Sequence, residues 1–293
     1  MDTENGASSR LAGEKHDRDT GGVRAVTRST RIITALAEHP YPLGIVELAT
    51  FVQLSPASVH RILHTLVSAG WAEQNSRTAK YRLGMRAIGI GTVGLVTNPV
   101  LHDSRMYLAR LAEWSGHDAV LSTLVGVKTV QLTRVAGPHT EMIEFEPGHP
   151  QPAHAMADGK LLLAYLPEAE ARYFYEVAGL RKYTENTITD PVRMEQELAA
   201  IRKQGYAVDN GERFDTGRGL AVPVLDADGH PIAAMLCLGR IDPEQDTAIV
   251  HQMFSLAREM SERLSAAGDL PAAAAAESVT VSGPVPAGVH RRA

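Results

Sequence analysis

The residues with the clearest capacity for recognition chemistry lie in the stretch Ser55-Pro56-Ala57-Ser58-Val59-His60-Arg61 and its continuation through His64 and Thr65. Val59, Ile62, Leu63, Leu66 and Val67 recur at helical spacing, so they define one inward face. The opposite face carries Ala57, Ser58, His60, Arg61, His64 and Thr65: small side chains, hydroxyls, imidazoles and one guanidinium. Such groups donate to base edges and phosphates, and the short ones let a helix sit deep in a major groove. No carboxylate interrupts that face, although carboxylates commonly populate a solvated helix surface. A second basic group follows around the polar turn Asn75-Ser76-Arg77-Thr78, where Arg77, Lys80 and Arg82 are placed to meet a phosphate backbone.

The elements that must hold these side chains are legible around them. Ser55 suits the cap of the reading helix, Pro56 its first turn, and Gly70 its C-terminal end. An earlier helix is marked by Val26, Ile32, Ile33, Leu36 and Ala37 and stops at His39-Pro40. A second, over 46–52, turns Leu48, Ala49 and Val52 inward, and the connection 53–56 joins it to the third. Residues 71–74 and 80–83 flank the polar turn as a hairpin. Three helices and a basic hairpin predict a winged helix-turn-helix over 23–84.

Charge supports a nucleic-acid partner. Residues 23–86 carry eight Lys/Arg against three acids, a net +5, which leaves −10 for the rest of a chain of net charge −5. Segregation of this kind is the footprint of a DNA-binding end joined to an acidic module.

A length of 293 residues fits about two domains. Aromatics are only 5%, so the cores are expected to be aliphatic. The single cysteine, Cys237, excludes a disulfide framework and fits a reducing cytoplasm. Residues 1–22 and 269–293 read as disordered tails, and no apolar run is long enough to span a membrane. Residues 85–96 form a glycine-interrupted helical segment suited to a linker, giving a linker region over 85–100. Beyond it, a helix over 101–115 precedes strands at 119–125, 130–135 and 142–146. Helices follow at 159–166, 168–178 and 192–204, then strands 220–225 and 232–238 around the turn Ala227-Asp228-Gly229-His230, and a last helix over 243–266. Hairpin-joined strands with intervening helices predict an α+β domain over 101–268 with a mainly antiparallel sheet.

Enzymatic and metal-dependent readings are weaker. His154, Asp158 and Lys160 lie close in sequence, but no third group orients them. Residues 153–161 lack the first glycine of a phosphate loop, and Leu161 stands where a magnesium-binding hydroxyl belongs. Cys237 sits among apolar residues as a structural thiol, and His149 with His154 falls short of the three or four ligands of a zinc site. No catalytic residue, metal or cofactor is expected.

Taken together, the chain resembles the IclR family of bacterial transcriptional regulators. The resemblance rests on Glu47-Leu48-Ala49, on Ser58 through Leu63, on Leu66-Val67-Ser68-Ala69-Gly70 and on Tyr81-Arg82-Leu83-Gly84. It continues through His154-Ala155-Met156-Ala157-Asp158-Gly159-Lys160, Leu163 through Pro167, Thr184, Thr187 and Ile188, Arg202 through Ala207, Leu220 through Val224, and Asp228-Gly229. The resemblance implies a winged helix joined by a linker helix to a GAF-like effector-binding domain, in a cytoplasmic, nucleoid-associated regulator that binds DNA as a homodimer or dimer of dimers. Repression of small-molecule catabolism genes from a palindromic operator is the implied mode. It also implies an effector pocket in which the amides of Ala157 and Asp158 hold a carboxylate, with Asp209, Gly219, Leu236 and Leu238 around it. Two leucines in place of hydroxyl-bearing residues imply an effector with an apolar body. Val46 stands where the family caps the second helix with a hydroxyl, and Gln53 replaces a turn glycine. The competing expectation is a metabolite-binding or catalytic protein whose winged helix serves protein contacts.

Overall fold

The computed structural model describes residues 23–39, 41–139, 148 and 150–267. The tails expected over 1–22 and 269–293, the strand expected over 142–146, and His149 lie outside the described residues. The chain divides into two compact units, one running to Gly94 and the other starting at Leu95.

The first unit holds α1 (Arg24–Ala37), α2 (Ile45–Val52) and α3 (Pro56–Ser68), then a hairpin of β1 (Ala72–Gln74) and β2 (Tyr81–Leu83). Its core is the set the helical period selects: Ile32, Leu36, Leu48, Val52, Val59, Leu63 and Leu66, closed by Ala72 and Tyr81. Both ends of α3 are determined locally. Ser55 Oγ accepts from Ser58 N at 3.2 Å, with Pro56 in the first turn. At the other end Gly70, at φ +77, lets its own amide reach Val67 O and lets Trp71 N reach Leu66 O at 2.8 Å. This pair of bonds satisfies carbonyls that the end of the helix would otherwise orphan. Gly84 packs so tightly against Gly70 that a Cβ there would overlap the Gly70 carbonyl.

One sequence expectation changes here and another is met. Val46 is not the capping position, because α2 starts at Ile45 with Gly44 as its cap, and the Glu47 carboxylate accepts from Gly44 N at 2.7 Å. Gln53 performs the turn expected of glycine, at φ 51 in the left-handed region.

Helix α4 (Met85–Thr97) follows the hairpin. Its last residues already belong to the second unit, whose next helix, α5 (Pro99–Ser115), starts two residues ahead of the expected position. Asn98 Oδ1 caps it by accepting from Val100 N at 3.0 Å, and Pro99 fits the first turn. The remaining elements are β3 (Asp118–Val125), β4 (Lys128–Val135), β5 (Pro150–Pro152), α6 (Ala157–Tyr165), α7 (Glu168–Ala178), α8 (Pro191–Gln204), β6 (Ala207–Asn210), β7 (Arg218–Leu225), β8 (Pro231–Gly239) and α9 (Asp246–Ala267). The six strands lie in the order β5-β4-β3-β8-β7-β6, and each adjacent pair is antiparallel. The protein is thus α+β, with a helix-turn-helix unit and an antiparallel sheet flanked by helices.

Strand alternation sorts the core into two layers. Leu121, Leu220, Val222, Met235 and Cys237 face α5 and α9, meeting Leu108, Leu111, Met253 and Met260. Val120, Ala221, Leu236 and Leu238 face the other way, against Leu161, Leu163, Met194 and Leu198. Helix α6 is buried from Ala157 to Ala164, and Gly159 rests so closely on a short 3-10 turn (Ala153–Ala155) that a Cβ would overlap Ala153. Its start at Ala157, rather than Gly159, puts Ala157 and Asp158 in the first helical turn. Among the described residues no helix is long and apolar enough to cross a membrane.

Candidate nucleic-acid interface and effector site

On α3 the residues expected to read bases form one outward stripe. Ala57, His60, Arg61, His64 and Thr65 are exposed at the positions opposite Val59, Leu63 and Leu66, and Ser58 is half-buried. Ser58 is partly committed to the cap, because Ser55 Oγ donates to its hydroxyl at 2.9 Å. Thr65 turns its hydroxyl back to Arg61 O at 3.3 Å. His60, Arg61 and His64 remain the long donors of the face, and no carboxylate stands among them.

The wing places Arg77, Lys80 and Arg82 in solvent, yet their surroundings differ. Asn75 Oδ1 accepts from both Arg77 N and Thr78 N, at 2.9 and 3.1 Å, which shapes the turn and projects Arg77 from its tip. Glu73 and Arg82 are cross-strand partners, and Arg82 Nη2 lies 2.9 Å from the Glu73 carboxylate. Lys80 Nζ lies 3.7 Å from Glu47. Sequence charge counts included both glutamates but could not show that they stand against two of the three wing cations. Arg31, one of the eight cations counted over 23–86, bonds the Val52 carbonyl and so serves the fold.

In the second unit the expected effector residues do come together. Asp209, Gly219 and Leu238 form one row across β6, β7 and β8. A Cβ on Gly219 would stand 3.3 Å from Leu236 Cδ1 and 3.4 Å from Ala157 Cβ, which measures how closely the row meets α6. All of these residues are buried. Asp158 fills the first turn of α6 with its own carboxyl, whose Oδ1 accepts from Gly159 N at 3.0 Å. Burial pushes its pKa up, against the pull of nearby Ser122 and the Gly159 amide.

Beside it lies a charge cluster that sequence reading missed. Lys160 Nζ, buried despite its length, pairs with Glu197 at 2.8 Å and with Glu212. Burial opposes its charge, but Glu212 and Glu197 outweigh that effect and hold its pKa above the ordinary lysine value. Asp209 accepts from Glu212 N at 2.7 Å, and its pKa rises to about 7, chiefly through burial and also through the charges of Glu212 and Asp158. Thr184 and Thr187 fasten the turn carrying Glu212, donating to Gly211 O and Glu212 O at 2.6 Å each. The spacing of Lys160, Glu197 and Glu212 offered no signal. Ser122 and Gln131 did offer one, as polar residues on inward positions of apolar strands.

His154, Asp158 and Lys160 do not assemble as reacting partners. His154 Nε2 pairs with the Arg181 carbonyl at 3.0 Å, Lys160 with its glutamates, and Asp158 with Gly159. Cys237 is buried and its thiol is pushed up to about 12 by burial, as suits a structural side chain.

Comparison with known proteins accounts for both units. Residues 25–76 match the family described as IclR helix-turn-helix domain, and residues 94–263 match Bacterial transcriptional regulator IclR C-terminal. HTH-type transcriptional regulator BhcR of Paracoccus denitrificans is 31% identical over 253 residues, covering 85% of this chain and 90% of that protein. Transcriptional repressor IclR of Escherichia coli is 28% identical over 247 residues, covering 83% and 90%. A solved IclR homologue from Microbacterium hydrocarbonoxydans, complexed with 4-hydroxybenzoate, shares the fold with a TM-score of 0.67 at 21% identity, covering 83% of this chain and 99% of that one.

Proposed function

Because this chain belongs to the IclR family of bacterial transcriptional regulators, we propose that it reads its operator through α3 and answers a small-molecule effector held beside α6. The first unit is the DNA-binding part and the second the effector-binding part, with domain limits at 23–84, 85–100 and 101–268. Ala57, Ser58, His60 and Arg61 contact base edges, with His64 and Thr65 beside them, and Arg77, Lys80 and Arg82 hold phosphates. The carrying observation is the exposed stripe on α3, which has donors along its length and no carboxylate.

Homodimerisation, with the palindromic operator it implies, is supported by α4. Met85, Ile88, Ile90, Val93 and Val96 are all exposed there, and Arg86 is the helix's one charged residue. A helix apolar around its circumference is not stable against water and needs a partner. Repression of small-molecule catabolism genes in the cytoplasm completes the reading, which the Escherichia coli repressor supports by its relatedness.

Ala157, Asp158, Asp209, Gly219, Leu236 and Leu238 line the effector site in this reading. The leucines suit an apolar part of the effector. A carboxylate head group would have to share the α6 N-terminus with the Asp158 carboxyl already bonded there.

A gel-shift assay against the promoter region beside the protein's own gene tests the proposal. Wild-type protein is expected to prefer that DNA over competitor at moderate salt, and Arg61→Ala to lose the preference while staying folded. Equal binding to both DNAs would remove the regulator reading and leave the winged helix to protein contacts.

A further inference from the structure

Three side chains that DNA recognition leaves unused lie between the inner face of the sheet and α6. Ser122 and Gln131 are cross-strand partners in β3 and β4. By alternation they share the face of Val120 and Leu124, which packs against α6. Asp158 stands in the first turn of α6, near enough to Ser122 to feel it. Each of the three is at most 1% exposed. Among the described residues, Ser122 Oγ, Gln131 Nε2, Gln131 Oε1 and Asp158 Oδ2 nevertheless have no partner in full hydrogen-bond geometry, although Ser122 stands close enough to the Asp158 carboxyl to lower its pKa. Folded proteins pair nearly all such groups, so several unmet ones gathered on one face call for a complementary molecule.

Building on the effector-domain reading above, we propose that Ser122, Gln131 and Asp158 recognise the effector, and that it is an uncharged compound bearing adjacent hydroxyl groups. The donor and acceptor inventory selects this class. Gln131 Oε1 accepts, Gln131 Nε2 donates, Ser122 Oγ does either, and the Asp158 carboxyl, whose pKa burial raises, accepts when ionised and donates when protonated. A hydroxyl also does either, so two neighbouring hydroxyls can answer the whole set. An ammonium group only donates and leaves Gln131 Nε2 unmet. A carboxylate only accepts, which leaves Gln131 Oε1 facing another acceptor in either state of Asp158.

Local charge points the same way. The anion position at the start of α6 is held by Asp158 Oδ1 on Gly159 N. Lys160 is already matched by Glu197 and Glu212, with Asp209 beside them. An anion entering beside this group, in which two glutamates face one lysine, is repelled, because low dielectric strengthens like-charge repulsion. Leu236 and Leu238, on the same face, take the carbon side of the molecule.

Isothermal titration of the full-length protein at pH 7 tests the proposal. The probes are glycerol, xylitol, D-xylose and D-glucose; the acids glycerate, xylonate and gluconate; ethanolamine; and 4-hydroxybenzoate. At least one neutral probe is expected to bind saturably, and Gln131→Leu or Ser122→Ala to weaken it about tenfold, as loss of buried hydrogen bonds to a ligand does. Both variants are expected to stay folded with an unchanged or higher Tm, since they remove unmet polar groups. The proposal is overturned if no neutral probe binds, if an acid or the amine alone binds, or if Gln131→Leu leaves binding intact, in which case water serves those atoms. Whether a bound probe alters operator affinity is read separately by gel shift. Failure of effector control is thereby distinguished from failure of this recognition site.

Discussion

Arg82 and Glu73 face each other across the wing, with Arg82 Nε and Nη2 each 2.9 Å from Glu73 Oε2. The contact is solvent-exposed, at 68% and 51% for the two side chains, so it contributes only about 0–1 kcal/mol to folding. Its consequence is for DNA: the guanidinium must leave a carboxylate before it can serve a phosphate. Glu73→Gln should therefore bind operator and competitor DNA more tightly. The steepness of salt dependence should rise by about one phosphate contact, and thermal stability should change by less than about 1 kcal/mol. Anisotropy titrations at several salt concentrations measure this; unchanged affinity and slope would show that Arg82 points away from the backbone.

Arg77 and Arg61 should fail differently when truncated. Arg77 projects from the turn that Asn75 shapes, where it can add charge near phosphates without reading bases. Arg77→Ala is expected to weaken all duplexes alike and to reduce the salt slope by about 1. Arg61 lies on the reading stripe of α3, and Arg61→Ala should cost about 1–3 kcal/mol of discrimination between the operator and a scrambled site. Exchanged phenotypes would exchange the two roles.

Lys160 ties α6 to α8 and to the turn after β6, through Glu197 and Glu212. Removing the ammonium leaves Glu212, whose side chain is 7% exposed, without its countercharge. Lys160→Met should destabilise the second unit by about 3–5 kcal/mol in urea unfolding, the range for one partner of a buried pair. Adding Glu197→Gln and Glu212→Gln should restore much of the loss, since no uncompensated charge then remains. A triple variant no more stable than the single one would assign the loss to packing of the lysine stem.

Legibility in the sequence followed the range of the interaction. Val59, Leu63 and Leu66 announce α3 because a helix repeats every 3.6 residues within one segment, and the outward stripe follows from the inward one. Ser55, Pro56 and Gly70 are local signals and fell where the helix begins and ends. Strands β5 and β6 carry no such signal: three residues with two prolines, and four residues ending in Asp209 and Asn210. They exist through pairing with β4 and β7, a long-range event. Helix α6 hid its start for another reason, because burial on all sides erases the polar face that would have marked its phase. At the candidate sites, residue types were readable and their partners were not. Glu73 against Arg82, Glu212 against Lys160, and Gln131 beside Ser122 are pairings made by the fold.

Asp209 makes the second unit sensitive to pH in a direction opposite to that of most carboxylates. Its pKa is about 7 in the folded protein, raised by burial and by Glu212 and Asp158. In the unfolded chain an aspartate titrates near its ordinary value of about 3.9. Between those values the folded state holds a proton that the unfolded state has released, so stability falls as pH rises through that window and is lowest above pH 7. Asp209→Asn carries no ionisable proton, and its side-chain oxygen can still accept from Glu212 N. Wild-type and variant Tm should therefore lie closest at pH 5 and separate towards pH 8, with the variant the more stable there. Calorimetry across that range decides the matter: parallel curves would mean that Asp209 titrates alike in the folded and unfolded states. Wild-type stability that rises against the variant with pH would mean that Lys160 holds the folded carboxylate charged.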